Sequence, residues 1–384
     1  MRILCHAQHL TGVGHFVRMQ AIARGLSGAH EVYLTSGGRS VPRPPGSTEP
    51  QLLPLPPLTR IGDDIVALES PASAGSVLEA RARLLARAVE RLRPDVILVD
   101  HYPFSKWELE PEVSAAVDAA RRCQASVRIL CSLRDVVRQS RHERVDNETY
   151  QATVLAALDA RFDGLLVHAD PAFTRLEEHF ERSAALTIPV AYTGFVTALP
   201  HGEAAPLSTA YAVLSCGGGA RHRAFLLAAM EAFRRLAAEG ALGVSSLVVF
   251  PAAFADDTDL EVIESAARGG PFDVRRFGPE FERYLAGSTL SISRAGYNTC
   301  AALLAARVRA VLVPDPQMSD QSVRAKRLAA LGIATRIDGD ETNVSALMTA
   351  IRRAEAGPPP RHHLAIDGVA RTRALVETVE TWAR

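Results

Sequence analysis

The sequence predicts an α/β protein made of two doubly wound domains that face each other across a cleft. Three observations predict it. Apolar strand-length runs alternate with amphipathic helix-length runs along the chain. Each half opens on the same unit, a strand running through glycine into a helix: Arg2–His6 before Gly12-Val13-Gly14-His15, and Tyr211–Ser215 before Cys216-Gly217-Gly218-Gly219. At 384 residues the chain exceeds one ordinary domain.

In the first half, Arg2–His6 reads as a parallel-type strand and Phe16–Leu26 as an amphipathic helix. His30–Thr35 is the next strand. The Gly-x-Gly turn lacks the third glycine and the closing acidic residue of a dinucleotide site, so that match is weak. Val41–Pro57 carries seven prolines and reads as loop, with a short edge strand at Leu52–Pro56 whose apolar side chains pack on the domain or meet an apolar acceptor. Ser76–Leu92 is a helix, and Pro94–Asp100 is a buried strand ending in a carboxylate and followed by His101. Polar residues just beyond the carboxyl end of a parallel strand are where such sheets place chemistry. A helix at Ser114–Arg122 and a strand at Ser126–Cys131 lead to Arg134, Arg138, Arg141 and Arg144. That stretch is either a solvated helix face or a clamp on an anionic acceptor. Tyr150–Arg161 is a helix, Gly164–His168 a strand, and Val190–Phe195 closes the half.

Residues 198–207 have linker composition, giving expected domains at 1–197 and 208–365 and a final helical segment at 366–384. The second half reads as a helix at His222–Glu239, a strand at Ser246–Phe250, a helix at Leu260–Ala267 and a strand at Val274–Phe277. A short helix at Phe281–Ala286 follows. Then come Leu290–Ser293 as a strand, the turn Ala295-Gly296, and a helix from Thr299 to Ala306 capped by Asn298 or Thr299. A strand passing through glycine into a helix aims free backbone N–H groups and a positive dipole end at one point, which suits a phosphate. The next unit repeats the pattern: strand Val311–Pro314, polar loop Asp315–Gln321, helix Val323–Leu331. The final helix is Val369–Arg384.

Composition bounds the function. Lys+Arg and Asp+Glu both number 43, so bulk charge points to no nucleic acid partner. The five cysteines are scattered, without metal-ligand or redox spacing, and read as reduced thiols of a cytoplasmic protein. With the first strand at Arg2, no leader peptide precedes it. No apolar run approaches the roughly 20 residues of a membrane span, which leaves only peripheral membrane contact open. No histidine spacing suggests a metal site, and oligomeric state is left open.

The order and spacing of these motifs resemble GT-B glycosyltransferases close to family 28, and a bacterial group of glycosyltransferases known mainly by prediction. The resemblance covers nearly the whole chain. It rests on Gly12-Val13-Gly14-His15, Tyr192-Thr193-Gly194-Phe195, Gly217-Gly218-Gly219, Ser293-Arg294-Ala295-Gly296-Tyr297-Asn298-Thr299, and Asp320-Gln321 leading into Arg324–Leu328. It implies two Rossmann-like domains, a nucleotide-diphosphate sugar on the second as co-substrate, a small-molecule acceptor on the first, and inverting, metal-independent catalysis without a resident cofactor. By that resemblance Gly217, Gly218 and Gly219 border the donor diphosphate, and Arg294, Gly296, Asn298 and Thr299 surround the base or phosphates. Asp320 and Gln321 meet the sugar hydroxyls. Gly12, Gly14, His101 and Arg134 lie on the acceptor side. The family's ribose-binding carboxylate is Ala302 here, and its following glycine and proline are Arg307 and Arg309, which leaves the nucleotide undetermined.

The residues themselves suit that chemistry. A base working near neutral pH is most naturally histidine, and His15 at a helix start is held neutral by the dipole. Asp100 is the rival base, or the group that orients His15; His6, His9 and His101 are expected at the same mouth. Two alternatives stay open. Gly-x-Gly-His followed by Arg18 also resembles nucleotide-sugar hydrolases of nonulosonic acid pathways, with water as nucleophile. The other is a non-catalytic binding or scaffold protein that kept the fold.

Overall fold

The computed structural model describes residues 1–41, 49–137, 146–197, 207–217 and 223–382. Gly218, Gly219, Arg138, Arg141, Arg144 and all of the expected linker except Leu207 lie outside them.

The first half builds one parallel sheet from β1 (Arg2–His6), β2 (Glu31–Ser36) and β3 (Gln51–Pro54) on one side. A two-stranded antiparallel ribbon, β4 (Leu58–Ile61) and β5 (Asp64–Ala67), interrupts the chain outside that sheet. The sheet continues with β6 (Val96–Asp100), β7 (Arg128–Arg134), β8 (Gly164–His168) and β9 (Val190–Tyr192). Its spatial order is β3-β2-β1-β6-β7-β8-β9, so the winding reverses between β1 and β6. The helices are α1 (Gly14–Ser27), α2 (Ala74–Leu92), α3 (Glu110–Cys123) and α4 (Asn147–Arg161).

The second half repeats the plan with β10 (Tyr211–Ser215), β11 (Ser246–Phe250), β12 (Phe272–Val274), β13 (Leu290–Ser293), β14 (Arg309–Leu312) and β15 (Thr335–Arg336). All pair in parallel, in the order β12-β11-β10-β13-β14-β15, and here the winding reverses between β10 and β13. Its helices are α5 (Arg223–Ala238), α6 (Asp257–Ala267), α7 (Phe281–Gly287), α8 (Tyr297–Ala306), α9 (Ser319–Ala330) and α10 (Val344–Ala356). Strands β6, β8, β10 and β13 are buried along their whole length, as apolar runs covered by helices on both faces require.

Open α/β sheets bind ligands at the carboxyl ends of the strands where the winding reverses. Those ends are His6 and Asp100 in the first sheet, and Ser215 and Ser293 in the second. Direct bonds bring the two ends together. The Asn298 amide donates to the Gly14 carbonyl at 3.0 Å. The Tyr297 hydroxyl donates to the His168 carbonyl and accepts from the Val196 N–H, each at 2.9 Å. Arg324 forks onto both oxygens of Asp135 at 2.7 and 2.8 Å. Arg327 bonds the Phe173 carbonyl at 2.6 Å and pairs with Glu178.

The chain then crosses back. Phe195 exchanges backbone bonds with Ala365 and Gly368 at 2.8 and 3.0 Å, and α11 (Gly368–Glu377) lies against α1. Gly194 is left-handed at φ +78°, and a Cβ there would strike Ala365. The Tyr-Thr-Gly-Phe motif therefore serves to seat this returning segment.

The structure moves several expected boundaries. β7 runs to Arg134, because its apolar alternation continues past Cys131 against β8. α8 starts at Tyr297 with Gly296 as N-cap, so neither Asn298 nor Thr299 caps it. α9 starts at Ser319, which puts Asp320 and Gln321 in its first turn instead of a loop. The last helix ends at Glu377, followed by a 3-10 turn at Val379–Thr381. The β4–β5 ribbon, α10 and β15 were not expected from the sequence. Among the described residues no helix is long and apolar enough to cross a membrane.

Candidate active site

The turn between β1 and α1 delivers His15 to the reversal point of the first sheet. His15 Nδ1 lies 2.8 Å from Asp100 Oδ2, at the end of β6. A carboxylate only accepts, so Nδ1 carries the proton and Nε2 is left with its lone pair. Among the described residues Nε2 has no protein partner, and the side chain is 20 % exposed while Asp100 has none. Asp100 is claimed from two further sides. Arg18, one turn along α1, donates to Oδ1 at 2.5 Å. Lys106 donates to Oδ2 at 2.5 Å and to the Gln8 carbonyl at 2.6 Å.

These contacts set the protonation state of each of the two groups. Burial alone would raise the Asp100 carboxyl, but Lys106, His15 and Arg18 outweigh it and hold it well below the usual carboxylate range. A buried carboxylate held by three donors stays ionised. Burial and then Lys106 lower His15 to about 3, against the pull of Asp100, so the imidazole is neutral at pH 7. Its place in the first turn of α1 adds to this.

His101 stands edge-on to His15 with ring centroids 5.1 Å apart. Its Nε2 faces the Arg134 Nε–H at 3.4 Å and its Nδ1 faces the Ser105 hydroxyl at 2.9 Å. Burial and the adjacent Arg134 lower His101 as well. Arg134 reaches Asp320 in the second domain at 3.7 Å, and Asp320 also meets Arg324 at 3.3 Å. His6 does not line the mouth: its ring is buried between Thr35 and Glu112 at 3.0 and 3.1 Å. His9 stacks on Phe254, ring centroids 6.2 Å apart. Beneath the turn, Arg81 grips Glu112 by two bonds of 2.6 and 2.9 Å and holds the Gln8 side chain at 2.8 Å, fixing the segment that leads to His15.

In the second domain two glycine turns meet the start of α8. Gly217, at the end of β10, is left-handed at φ +73°, a conformation other residues rarely adopt. A Cβ at Gly217 or at Gly296 would lie 3.8 or 4.0 Å from the Thr299 hydroxyl, so both glycine turns converge on the N-terminus of α8. Among the described residues that terminus has no side-chain cap. Its first N–H groups and dipole are available to an anion.

Other residues of the expected donor set have internal duties. Arg294 is buried, bonded to the Val313 carbonyl at 3.1 Å, paired with Glu341 at 2.7 Å, and laid over the Phe225 ring at 4.4 Å. It braces the β13–β14 edge. Gln321 Oε1 accepts the N–H groups of Ala295 and Asp315 at 3.2 and 3.1 Å, tying two loops together. Ala302 is 1 % exposed within an apolar cluster, so no ribose is held from that position. Sequence reasoning missed Lys106 and Asp135. Their signal was faint: a lone lysine after an aromatic turn, and an acidic residue inside an arginine-rich run. Elsewhere in the first domain a pocket of about 330 Å³ opens beside Pro56, Pro57, Leu68 and Val77. Val77 also packs with Leu10 and Leu58, which links this pocket to the turn carrying His15.

The buried histidines make a prediction. His15 and His168 are lowered to about 3 by burial, and His9, His101 and His179 shift the same way. Below pH ~6.5 the unfolded chain takes up protons that the folded chain refuses, each such group costing up to about 1.4 kcal/mol per pH unit. Glu282, raised to about 7 by burial, acts in the opposite sense but is a single group. Calorimetric Tm is expected to fall as pH drops from 6.5 to 5. A level or rising Tm would mean these imidazoles are free to protonate.

Residues 255–363 match the glycosyltransferase family 28 C-terminal domain. A curated relative, the UDP-N-acetylglucosamine–N-acetylmuramyl-(pentapeptide) pyrophosphoryl-undecaprenol N-acetylglucosamine transferase of Anaeromyxobacter sp. (strain Fw109-5), is 33 % identical over 111 residues. That alignment covers 28 % of this chain and 29 % of the relative, so the chain matches under a third of its length. Among solved structures, spinosyn rhamnosyltransferase SpnG superposes with a TM-score of 0.58 at 15 % identity over 100 % of both chains. MurG of Acinetobacter baumannii gives 0.53 at 16 % over 99 % of both. The glycosyltransferase VinC, solved in complex with dTDP, gives 0.56 at 14 % over 99 % of this chain and 98 % of its own. At such identities the likeness shows the fold, which is GT-B.

Proposed function

We propose that this chain, with a family 28 glycosyltransferase C-terminal domain on a GT-B frame, is an inverting, metal-independent glycosyltransferase. Its donor is a nucleotide-diphosphate sugar, taken as UDP-linked, and its acceptor is a hydroxyl of a small metabolite or natural-product intermediate. The observation that carries this reading is the pairing of reversal points. One holds a neutral, oriented His15 with Nε2 open; the other holds an uncapped α8 N-terminus flanked by Gly217 and Gly296.

In this reading His15 Nε2 takes the acceptor proton as the acceptor oxygen bonds to the anomeric carbon. The bond from that carbon to the diphosphate oxygen breaks, and its electron pair leaves with the diphosphate. Asp100 keeps the imidazole in the required tautomer through Nδ1–H. The α8 dipole and backbone N–H groups meet the charge growing on the leaving group, with the largely buried Arg134 on the opposite wall as a cation beside Asp320. The sugar hydroxyls go to Asp320, which stands 3.7 Å from Arg134 across the cleft. The apolar pocket beside Pro56 and Val77 offers the acceptor's carbon frame a surface in the same domain.

The test is release of nucleoside diphosphate from UDP- and dTDP-linked hexoses, with and without EDTA, against a panel of phenolic, macrolide and sugar acceptors. Release that depends on an acceptor and survives EDTA is the expected result. Release without acceptor would make water the nucleophile and the protein a hydrolase. No release from any donor would overturn the enzymatic reading.

A further inference from the structure

Lys106 stands out in this chain. It is one of only two lysines among 43 basic residues, where arginine is used nearly everywhere else. The loop that carries it is bent to bring it back: His101 is left-handed at φ +65° and Lys106 at φ +64°, neither of them glycine. Such residues persist where the surroundings hold them, and they gather at functional sites. What the bend achieves is specific. The ammonium reaches the same oxygen of Asp100 that His15 uses, and a single further bond, to the Gln8 carbonyl, ties it to the β1–α1 turn. An ammonium is a compact point charge, able to share that one oxygen with an imidazole.

Asp100 consequently faces Arg18 and Lys106 as well as His15, one negative charge against two fixed positive ones. We propose that Lys106 is a positioning residue that neutralises Asp100 from behind, so that the carboxylate orients His15 without lending it the negative charge that would protonate it. This rests on the reading of His15 as the base and extends it to how that base is kept ready. The charged groups facing His15 are Arg18 from α1, Asp100 from β6, Lys106 from the following loop and Arg134 from β7; His101 is its titratable neighbour. Without Lys106, Asp100 and Arg18 balance and the remaining pull on His15 is that of a hydrogen-bonded carboxylate. A further consequence is that the dyad gains most when an anionic group, such as a donor diphosphate, enters beside it and offsets the excess positive charge.

The test needs no substrate, so its outcome is separate from whether the proposed transfer occurs. Histidine is labelled with ¹³C at Cε1, the His15 signal is assigned with His15→Ala, and spectra are followed from about pH 8 to 5.5. In the wild type the His15 signal is expected not to titrate. In Lys106→Met it is expected to titrate within that window, a rise of at least about 300-fold in proton affinity from its value of about 3. Lys106→Arg, which keeps the charge, is expected to silence it again. If His15 stays silent in a folded Lys106→Met, the lysine only ties the loop to Gln8 and the proposal falls. It falls equally if Lys106→Arg titrates as Lys106→Met does, since charge would then not be the operative property.

Discussion

His15→Ala is expected to lower turnover by about 10²–10⁴-fold, the usual contribution of a positioned general base. The loss should appear in kcat, with the apparent affinity for the nucleotide nearly unchanged, because the cradle at Gly217, Gly296 and α8 lies on the other domain. The fold should survive. Asp100 keeps Arg18 and Lys106 when the imidazole is removed, so no buried charge is left unpaired. The check is kcat and KM for the donor beside a thermal melt of the variant. Full turnover in a folded variant would mean that His15 contacts substrate without taking its proton.

Asp135→Ala is expected to have the largest effect on stability. Arg324 is wholly buried and draws on Asp135, Asp320 and the Ala295 carbonyl, and its fork onto Asp135 ties the two domains by two bonds. Removing one partner of a buried pair typically costs about 3–5 kcal/mol, because the other charge stays behind. A fall of that size in unfolding free energy from urea melts is the expected outcome. The double variant Asp135→Ala/Arg324→Met should recover part of it, since it removes the stranded charge as well. If Asp135→Ala melts like the wild type, the domains are not held by this pair.

Much of the fold was legible because its strands are buried on both faces and stand out as continuous apolar runs. β1, β8, β10, β11 and β13 fall where the sequence places them. The β4–β5 ribbon was not legible in the same way: its strands are four residues long, half exposed, and sit beside prolines. α10 did carry a signal, an amphipathic run after an Asn343 cap, but it lies beyond the motifs that organise the site.

The candidate site was legible as positions and not as roles. Strand ends place His15 and Asp100 at one mouth, but the protonation state of each depends on Lys106 and Arg18. Lys106 reaches Asp100 only through a left-handed loop that no local pattern announces. Arg294 reads from sequence as a phosphate arm, yet Glu341 and the Val313 carbonyl use its guanidinium. Asn298 reads as a cap or a donor contact, yet its amide bonds Gly14, 284 positions away, a contact for which sequence spacing gives no hint.

Calorimetric titration with UDP, dTDP and GDP, each in EDTA, tests most directly whether this chain uses a nucleotide-diphosphate sugar. Saturable binding of one of them, UDP first, without added metal and retained in His15→Ala, is the expected result. Absence of binding by all three would contradict it, and the convergence of Gly217, Gly296 and α8 would then be a packing feature of the second sheet.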